Sequence, residues 1–205
     1  MIQHFSFAHK GGFYHYRLNK QNLEQVKFDK LKDFLLSVTE TCPNEYFENG
    51  PRSSSLKFKV PCELMQVTNH EISNLTKLGL EHNEERYKTA HTKVQVFCLE
   101  NDMKSIAVEI PVWFEDGENE IIDSKDKLTG HIDLLGYEDG KVWIWDYKPG
   151  AFKEKYAATQ LYFYALMLSK RANLDLKDIR CGYFDSAYTF VFDPSKIKMN
   201  KLITE

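Results

Sequence analysis

Residues 128–148, LTGHIDLLGYEDGKVWIWDYK, restrict the possible fold more than any other stretch of the chain. Two runs of apolar and aromatic residues, 132–137 and 142–147, flank the pair Asp139-Gly140. Such a pair supplies the positive φ angles of a two-residue type I′ turn. The stretch is therefore predicted to form a β-hairpin.

The register of this hairpin brings like charges together. With a two-residue turn, counting outward pairs Asp133 with Asp146 and His131 with Lys148. Side chains alternate between the faces of a strand, so these four share one face. Directly opposed side chains have Cβ atoms about 5 Å apart, and like charges in that position destabilise a sheet. A divalent cation between the two carboxylates would remove the penalty.

A purely structural arrangement is the alternative for this face. Asp146 could form a buried ion pair with Lys148 or His131. That pairing would leave the second carboxylate uncompensated, and burying an unpaired charge is costly. Paired carboxylates suit Mg²⁺ or Mn²⁺, which prefer oxygen ligands. The metal interpretation is therefore favoured.

Length, charge and cysteine usage narrow the class of protein. A chain of 205 residues suffices for one domain with a substantial core. No apolar run approaches the length of a membrane span, and the N-terminus lacks signal-peptide features, so a cytoplasmic protein is expected. The four cysteines lack zinc-site spacing, which favours reduced thiols. A net charge of −3 disfavours a protein that coats nucleic acid, but it allows a local basic groove.

Hydrophobic periodicity along the rest of the chain indicates helices and strands in a mixed order. Helices are predicted over residues 22–38, 69–92 and 156–172, strands over residues 93–99 and 105–114, and a second hairpin over residues 179–192. This order favours an α/β or α+β fold with a mixed central sheet flanked by helices. Residues 41–55 are predicted to form a loop. It would join an N-terminal helical and loop portion, residues 1–55, to a core of residues 56–205.

Three motifs follow one another in the order Gly130-His-Ile-Asp133, Asp146-Tyr-Lys148 and Gln160-x-x-x-Tyr164. Together they resemble the RecB-like branch of the PD-(D/E)xK nuclease superfamily, which includes the RecB and AddAB nuclease domains and the CRISPR-associated adaptation exonucleases. That branch has a G-x-x-D strand, a (D/E)-x-K strand after a short hairpin, and a Q-x-x-x-Y helix. Ile132 stands where the proline of "PD" would be. The resemblance implies a restriction-endonuclease-like core.

The resemblance also implies roles for particular residues. The catalytic set would be Asp133, Asp146, Lys148, Gln160 and Tyr164, with Lys148 activating the attacking water. Gln160 and Tyr164 would organise the site and touch the DNA. The metal would be held by His82, Asp133, Asp146 and the backbone carbonyl of Tyr147. His82 fits the family's upstream G-x-x-H setting, with Gly79 as its glycine, while Glu109 and His91 are alternative third ligands.

By resemblance, the chain would be a Mg²⁺- or Mn²⁺-dependent DNase, an exonuclease in DNA repair, recombination or mobile-element processing. Its partners would be single- or double-stranded DNA ends and a helicase or recombination protein, with no membrane. Some relatives bind an iron–sulfur cluster through three late cysteines, but here only Cys181 lies late in the chain, so no cluster is expected. The alternatives are a non-catalytic nucleic-acid-binding module that keeps the fold, and a hydrolase of another phosphoester.

Overall fold

A computed structural model describes residues 1–10, 12–122 and 127–199. The strands are β1 (Ile2–His4), β2 (Phe7–His9), β3 (Gly12–Tyr14), β4 (Arg17–Asn19), β5 (Met65–Val67), β6 (Ser105–Trp113), β7 (Thr129–Glu138), β8 (Lys141–Tyr147), β9 (Ile179–Phe184) and β10 (Thr189–Phe192). The helices are α1 (Lys20–Glu24), α2 (Asp29–Thr41), α3 (Asn44–Asn49), α4 (Glu71–His82), α5 (Ala90–Asn101) and α6 (Ala157–Ala172).

Eight of these strands form one sheet in the order β1-β4-β6-β7-β8-β9-β10-β5. Strands β8 and β9 are parallel and are connected through α6, whereas the neighbouring pairs β6–β7, β7–β8 and β9–β10 are antiparallel. One hydrophobic cluster lies between the sheet and helices α2 and α6, and a second lies under α4 and α5. The predicted fold class, a mixed sheet flanked by helices, is confirmed.

The opening hairpin forms with the predicted turn. Asp139 and Gly140 have φ angles of 50° and 74°, as a type I′ turn requires. Five pairs follow in the predicted register, from Glu138 opposite Lys141 to Leu134 opposite Trp145. The paired ladder ends there, one residue before Asp133 and Asp146.

Beyond that point the two strands of the hairpin separate, so the predicted pairing of His131 with Lys148 is wrong. His131 lies opposite Pro111 on the β6 side of the strand and has no paired residue on the β8 side. The Lys148 backbone N–H donates to the Phe184 carbonyl of β9 at 2.8 Å. Past Leu134 and Trp145, β7 stays paired with β6 and β8 with β9, but β7 and β8 are no longer paired with each other, so a gap opens in the middle of the sheet.

Four secondary-structure assignments need correction. Residues 41–55, which were predicted to form a loop, contain helix α3. The predicted helix over residues 22–38 is two helices, α1 and α2, because Phe28 adopts an extended conformation between them. Residues 93–99 lie inside α5 and do not form a strand, and the predicted helix over residues 69–92 is divided between α4 and α5. Every residue from 94 to 99 is buried. An apolar run covered on all sides carries no periodicity that distinguishes a helix from a strand.

The second predicted hairpin forms between β9 and β10. Strand β10 starts at Thr189 because the Asp185 carboxylate accepts the backbone N–H groups of Ala187 and Tyr188, at 2.8 and 2.7 Å. This side chain thus stabilises a loop of residues 185–188.

The N-terminal portion contributes more than helix and loop. Strand β4 pairs with β6 in the central sheet, and β1 pairs with β4. The division at residue 55 stays a prediction, and residues 200–205 of the predicted core lie outside the described part of the chain. Within the described ranges, no helix is both long and apolar enough to cross a membrane.

Candidate active site

Three neighbouring strands each bring one carboxylate to the gap in the sheet. Asp133 of β7 and Asp146 of β8 are the first residues past the paired part of the hairpin. The β6–β7 register, which pairs the residues on either side, places Glu109 of β6 beside Asp133. Glu109 has a φ of 54°, a left-handed conformation that is uncommon for a residue with a side chain. Such conformations cost free energy and often occur at functional sites.

The three carboxyl groups make one another harder to ionise. Burial and the neighbouring Glu109 raise the pKa of Asp133 to about 7. Burial and the neighbouring Asp133 raise the pKa of Asp146 to about 7 as well. Burial also raises the pKa of Glu109. A cation bound among these groups would relieve both the repulsion and the lost hydration.

Lys148 provides one positive charge at this cluster. Its Nζ lies 2.7 Å from Asp146 Oδ2. Burial alone would lower the pKa of Lys148, but Asp146 and Asp133 outweigh it, and the net shift is upward. The structural ion pair considered above therefore forms. Among the described residues, however, Asp133 has no lysine or arginine within ion-pair distance.

Helix α6 supports the carboxylates from one side of the sheet. Gln160 Nε2 lies 3.4 Å from Asp146 Oδ1 and donates to the Tyr164 hydroxyl at 2.7 Å. A Cβ at Gly130 would overlap the Tyr164 ring, so the glycine of the G-x-x-D motif is required by the tyrosine of the Q-x-x-x-Y motif. Both α6 side chains line the cleft but are at most 9% exposed. Their clearest role is to hold Asp146 in place.

Helix α5 approaches from the opposite side and brings His91. The N-cap residue Thr89 accepts the Thr92 N–H at 3.1 Å, which starts the helix just before His91. His91 Nε2 lies 3.8 Å from Asp133 Oδ2. Burial holds the pKa of His91 below its ordinary value, although Asp146 raises it. The neutral imidazole is the form that binds metals.

His82, the predicted upstream ligand, is not brought to this cleft. It is the exposed last residue of α4, and its ring lies 5.6 Å from that of Phe97. The residues lining the cleft include His91 and Glu109 but not His82. Gly79 is explained by packing alone, since an added Cβ would lie 2.8 Å from Phe97 Cβ. The G-x-x-H spacing thus reflects the contact between α4 and α5.

The backbone of Tyr147 contacts one of the carboxylates. Its N–H donates to Asp133 Oδ2 at 3.0 Å, where the regular ladder has ended. Its ring packs edge-on against His91, with centroids 5.0 Å apart. The use of its carbonyl as a metal ligand stays a prediction.

Comparison with known proteins gives one match. A family model described as the PD-(D/E)XK nuclease superfamily matches residues 68–202. The chain belongs to the PD-(D/E)XK nuclease superfamily. No curated protein and no solved structure matches it. Members of this superfamily are usually metal-dependent nucleases, and the RecB-like branch stays a prediction.

Part of the cleft lies outside the segment that matches the superfamily. Tyr14, Arg52 and Ser54 line the same cleft as Asp133. Sequence reasoning missed all three. Residues 1–20 carry no pattern that relates Tyr14 to a site, and Arg52 stands in a loop of Pro, Gly and Ser residues. Only the folded chain shows that they meet.

The donor chemistry fits the divalent metal that PD-(D/E)XK nucleases use. Within the described residues, no three His, Cys, Asp or Glu side chains already stand as a ready-made metal site. The available donors are carboxylate oxygens, which Mg²⁺ prefers, and among the described residues no lysine or arginine forms an ion pair with Asp133 or Glu109. The raised pKa values of Asp133 and Asp146 reflect the same shortage of positive charge.

Proposed function

We propose that this chain is a metal-dependent deoxyribonuclease that uses Mg²⁺ or Mn²⁺ and degrades DNA from its ends. One observation carries the proposal: three neighbouring strands aim Glu109, Asp133 and Asp146 at one gap in the sheet, beside Lys148. A purely structural sheet has no use for three mutually repelling carboxylates in its interior. The preference for DNA ends rests on the three motifs that resemble the RecB-like branch.

The metal would be held by Asp133 and Asp146, with the Tyr147 carbonyl as a further ligand. For the third side-chain ligand we propose His91 or Glu109 in place of His82, because both line the cleft with Asp133. Glu109 Oε1 also accepts a hydrogen bond from Gln95 Nε2 at 2.7 Å, which fixes its orientation. The bound ion would supply Lewis-acid polarisation of the phosphate and a more acidic water.

Lys148 would place a positive charge where negative charge develops on the phosphate. Its side chain is 21% exposed, so its ammonium would contact both Asp146 and a phosphate bound at the carboxylates. Preorganised charge of this kind is among the largest contributions to catalysis. Gln160 would act indirectly, because it holds Asp146 Oδ1 and Tyr164 in fixed positions.

The wider setting follows from the same resemblance. We propose a role in DNA repair, recombination or mobile-element processing, with a helicase or recombination protein as partner. All four cysteines are free thiols, which fits a reducing compartment such as the cytoplasm. No iron–sulfur cluster belongs to this proposal.

A nuclease assay with linear and circular DNA, single- and double-stranded, tests the proposal in Mg²⁺ and in Mn²⁺. We expect the wild type to degrade linear DNA and spare circular DNA, and Asp146→Asn and Lys148→Ala to be inactive. Asp175→Asn is a matched control, because its side chain is 54% exposed. Cleavage that survives Asp146→Asn would refute the site. DNA binding without any cleavage by the wild type would favour the non-catalytic binding module.

A further inference from the structure

A chain of hydrogen bonds connects the cleft to the N-terminal portion. An Arg52 guanidinium nitrogen donates to His131 Nδ1 at 3.0 Å. His131 Nε2 lies 2.9 Å from His9 Nδ1, and His9 Nε2 lies 2.9 Å from Asn44 Oδ1. All three bonds form together when each imidazole is neutral and carries its proton on Nε2. Each ring then accepts on one side and donates on the other, so the chain has one direction.

Further contacts hold Arg52 at both its backbone and its side chain. The Thr129 N–H donates to the Pro51 carbonyl at 3.0 Å, and Arg52 forms a bridge to Thr129 at the start of β7. The Arg52 Cζ lies 4.8 Å from the centre of the Tyr14 ring, within cation–π distance. The Tyr14 ring in turn stacks on His131 with centroids 3.7 Å apart. Arg52 is therefore fixed beside the cleft before any ligand binds.

Its position and free donors suit an anion. Arg52 lines the cleft together with Glu109 and Asp133, and it is a second cation of the site beside Lys148, which pairs with Asp146. No carboxylate in the described part of the chain lies within ion-pair distance of Arg52, although Glu109 and Asp133 line the same cleft. A guanidinium has five N–H donors in a planar fork, and the bond to His131 uses one. The remaining donors match the oxygens of a phosphate group.

We propose that Arg52 binds a phosphate of the DNA strand in the cleft, and that His131, His9 and Asn44 act as positioning residues for it. This inference rests on the proposed function, because it takes the substrate to be DNA. It also gives residues 1–55 a part in substrate binding, although they lie outside the segment that matches the superfamily. A strand entering a cleft lined by carboxylates needs such a cation, since the carboxylates repel its phosphates.

Binding of a short fluorescein-labelled single-stranded oligonucleotide, followed by anisotropy over a range of salt concentrations, tests the role of Arg52. The measurement uses the Asp146→Asn background with Mg²⁺ present, so cleavage does not interfere. We expect Arg52→Gln to weaken binding about 10-fold and to reduce the salt slope by about 1. Arg52→Lys should keep the slope and recover part of the affinity.

The matched control is Lys30→Gln, which removes the same charge from a side chain on α2 that is 72% exposed. It should leave affinity and slope unchanged. Wild-type affinity and slope in Arg52→Gln would overturn the proposal. This result is distinct from failure of the proposed function, which would appear as absence of cleavage by the wild type whatever the binding data show.

A double-mutant cycle tests the positioning residues. We expect Asn44→Ala and His9→Ala each to weaken binding about 3-fold, and neither to weaken it further when Arg52 is already glutamine. Asn44 is exposed, so its variant should fold even if the His9 variant does not. Equal losses in both backgrounds would show that these residues do not act through Arg52 and would overturn their assignment.

Discussion

Acidic side chains gather at two places in this protein, and their surroundings differ. In the cleft, the partly buried Asp133 and the fully buried Asp146 lie near Glu109, and the pKa of each is raised to about 7. At the other place, Glu115 and Glu118 both contact Arg171 of α6. There, burial raises the pKa of Glu115, but hydrogen bonds from Trp113 and Tyr46 and the charge of Arg171 outweigh it, so the net pKa is lowered.

The difference shows how a structural cluster of acids is distinguished from a functional one. Glu115 accepts from Trp113 Nε1 at 2.7 Å and from the Tyr46 hydroxyl at 3.0 Å, so donors surround its carboxylate. In the cleft, Asp146 forms an ion pair with Lys148, but among the described residues neither Asp133 nor Glu109 has a lysine or arginine within ion-pair distance. Arg171 thus already supplies a cation to both acids of the second cluster, whereas Lys148 pairs with only one of the three acids in the cleft.

The largest expected effect comes from neutralising an acid in the cleft. Asp133→Asn should lower the cleavage rate by about 10³-fold, because a metal ligand is lost. It should also raise the free energy of unfolding of the metal-free protein by about 1 kcal/mol, since repulsion with Glu109 and Asp146 falls. Kinetics and denaturant unfolding at slightly alkaline pH measure the two effects.

Added Mn²⁺ provides the control for this variant. It should raise the Tm of the wild type by about 5 °C at saturating concentration and leave the Tm of Asp133→Asn nearly unchanged. Equal stabilisation of both proteins would mean that the ion binds elsewhere. Metal binding would then not distinguish the acids of the cleft from Glu115 and Glu118.

Variants of His91 and His82 test whether α5 or α4 supplies the histidine of the active site. His91→Ala should reduce activity about 10- to 100-fold, because His91 lies 3.8 Å from Asp133. His82→Ala is the matched control and should retain wild-type activity, since His82 is exposed and lies outside the cleft. Loss of activity in His82→Ala alone would restore the ligand predicted from the G-x-x-H spacing.

The sequence predicted the parts of the site that depend on local geometry. The turn at Asp139-Gly140 determines the hairpin register, which places Asp133 and Asp146 at corresponding positions. The end of pairing between β7 and β8 was missed because the turn determines the register of the hairpin but not how far its ladder extends.

Contacts between distant segments account for the remaining differences. His91 and Glu109 were only alternatives, because no local pattern shows that α5 packs over β6 and β7. The meeting of Arg52 with Tyr14 and His131 joins segments far apart in the chain. A single sequence without related sequences gives no signal for such a contact.

Packing behind the cleft should have an intermediate effect. Gly130→Ala should lower stability by about 1–3 kcal/mol and reduce activity several-fold, because the new Cβ meets the Tyr164 ring that holds Gln160. Gly136→Ala, on the same strand, is the matched control, since its Cβ would lie 3.4 Å from the nearest atom, the Lys104 carbonyl oxygen. Equal activity losses in both variants would indicate a general effect on β7.

The smallest effect on activity is expected at the second acidic cluster. Arg171→Met removes the cation shared by Glu115 and Glu118, and its side chain is only 13% exposed. Stability should fall by about 1–3 kcal/mol, while cleavage should stay within about twofold of the wild type. Lys170→Met makes the same substitution at an exposed neighbour and should change neither quantity. A large loss of cleavage in Arg171→Met, at a temperature where the variant is folded, would break the distinction between a structural and a functional cluster of acids.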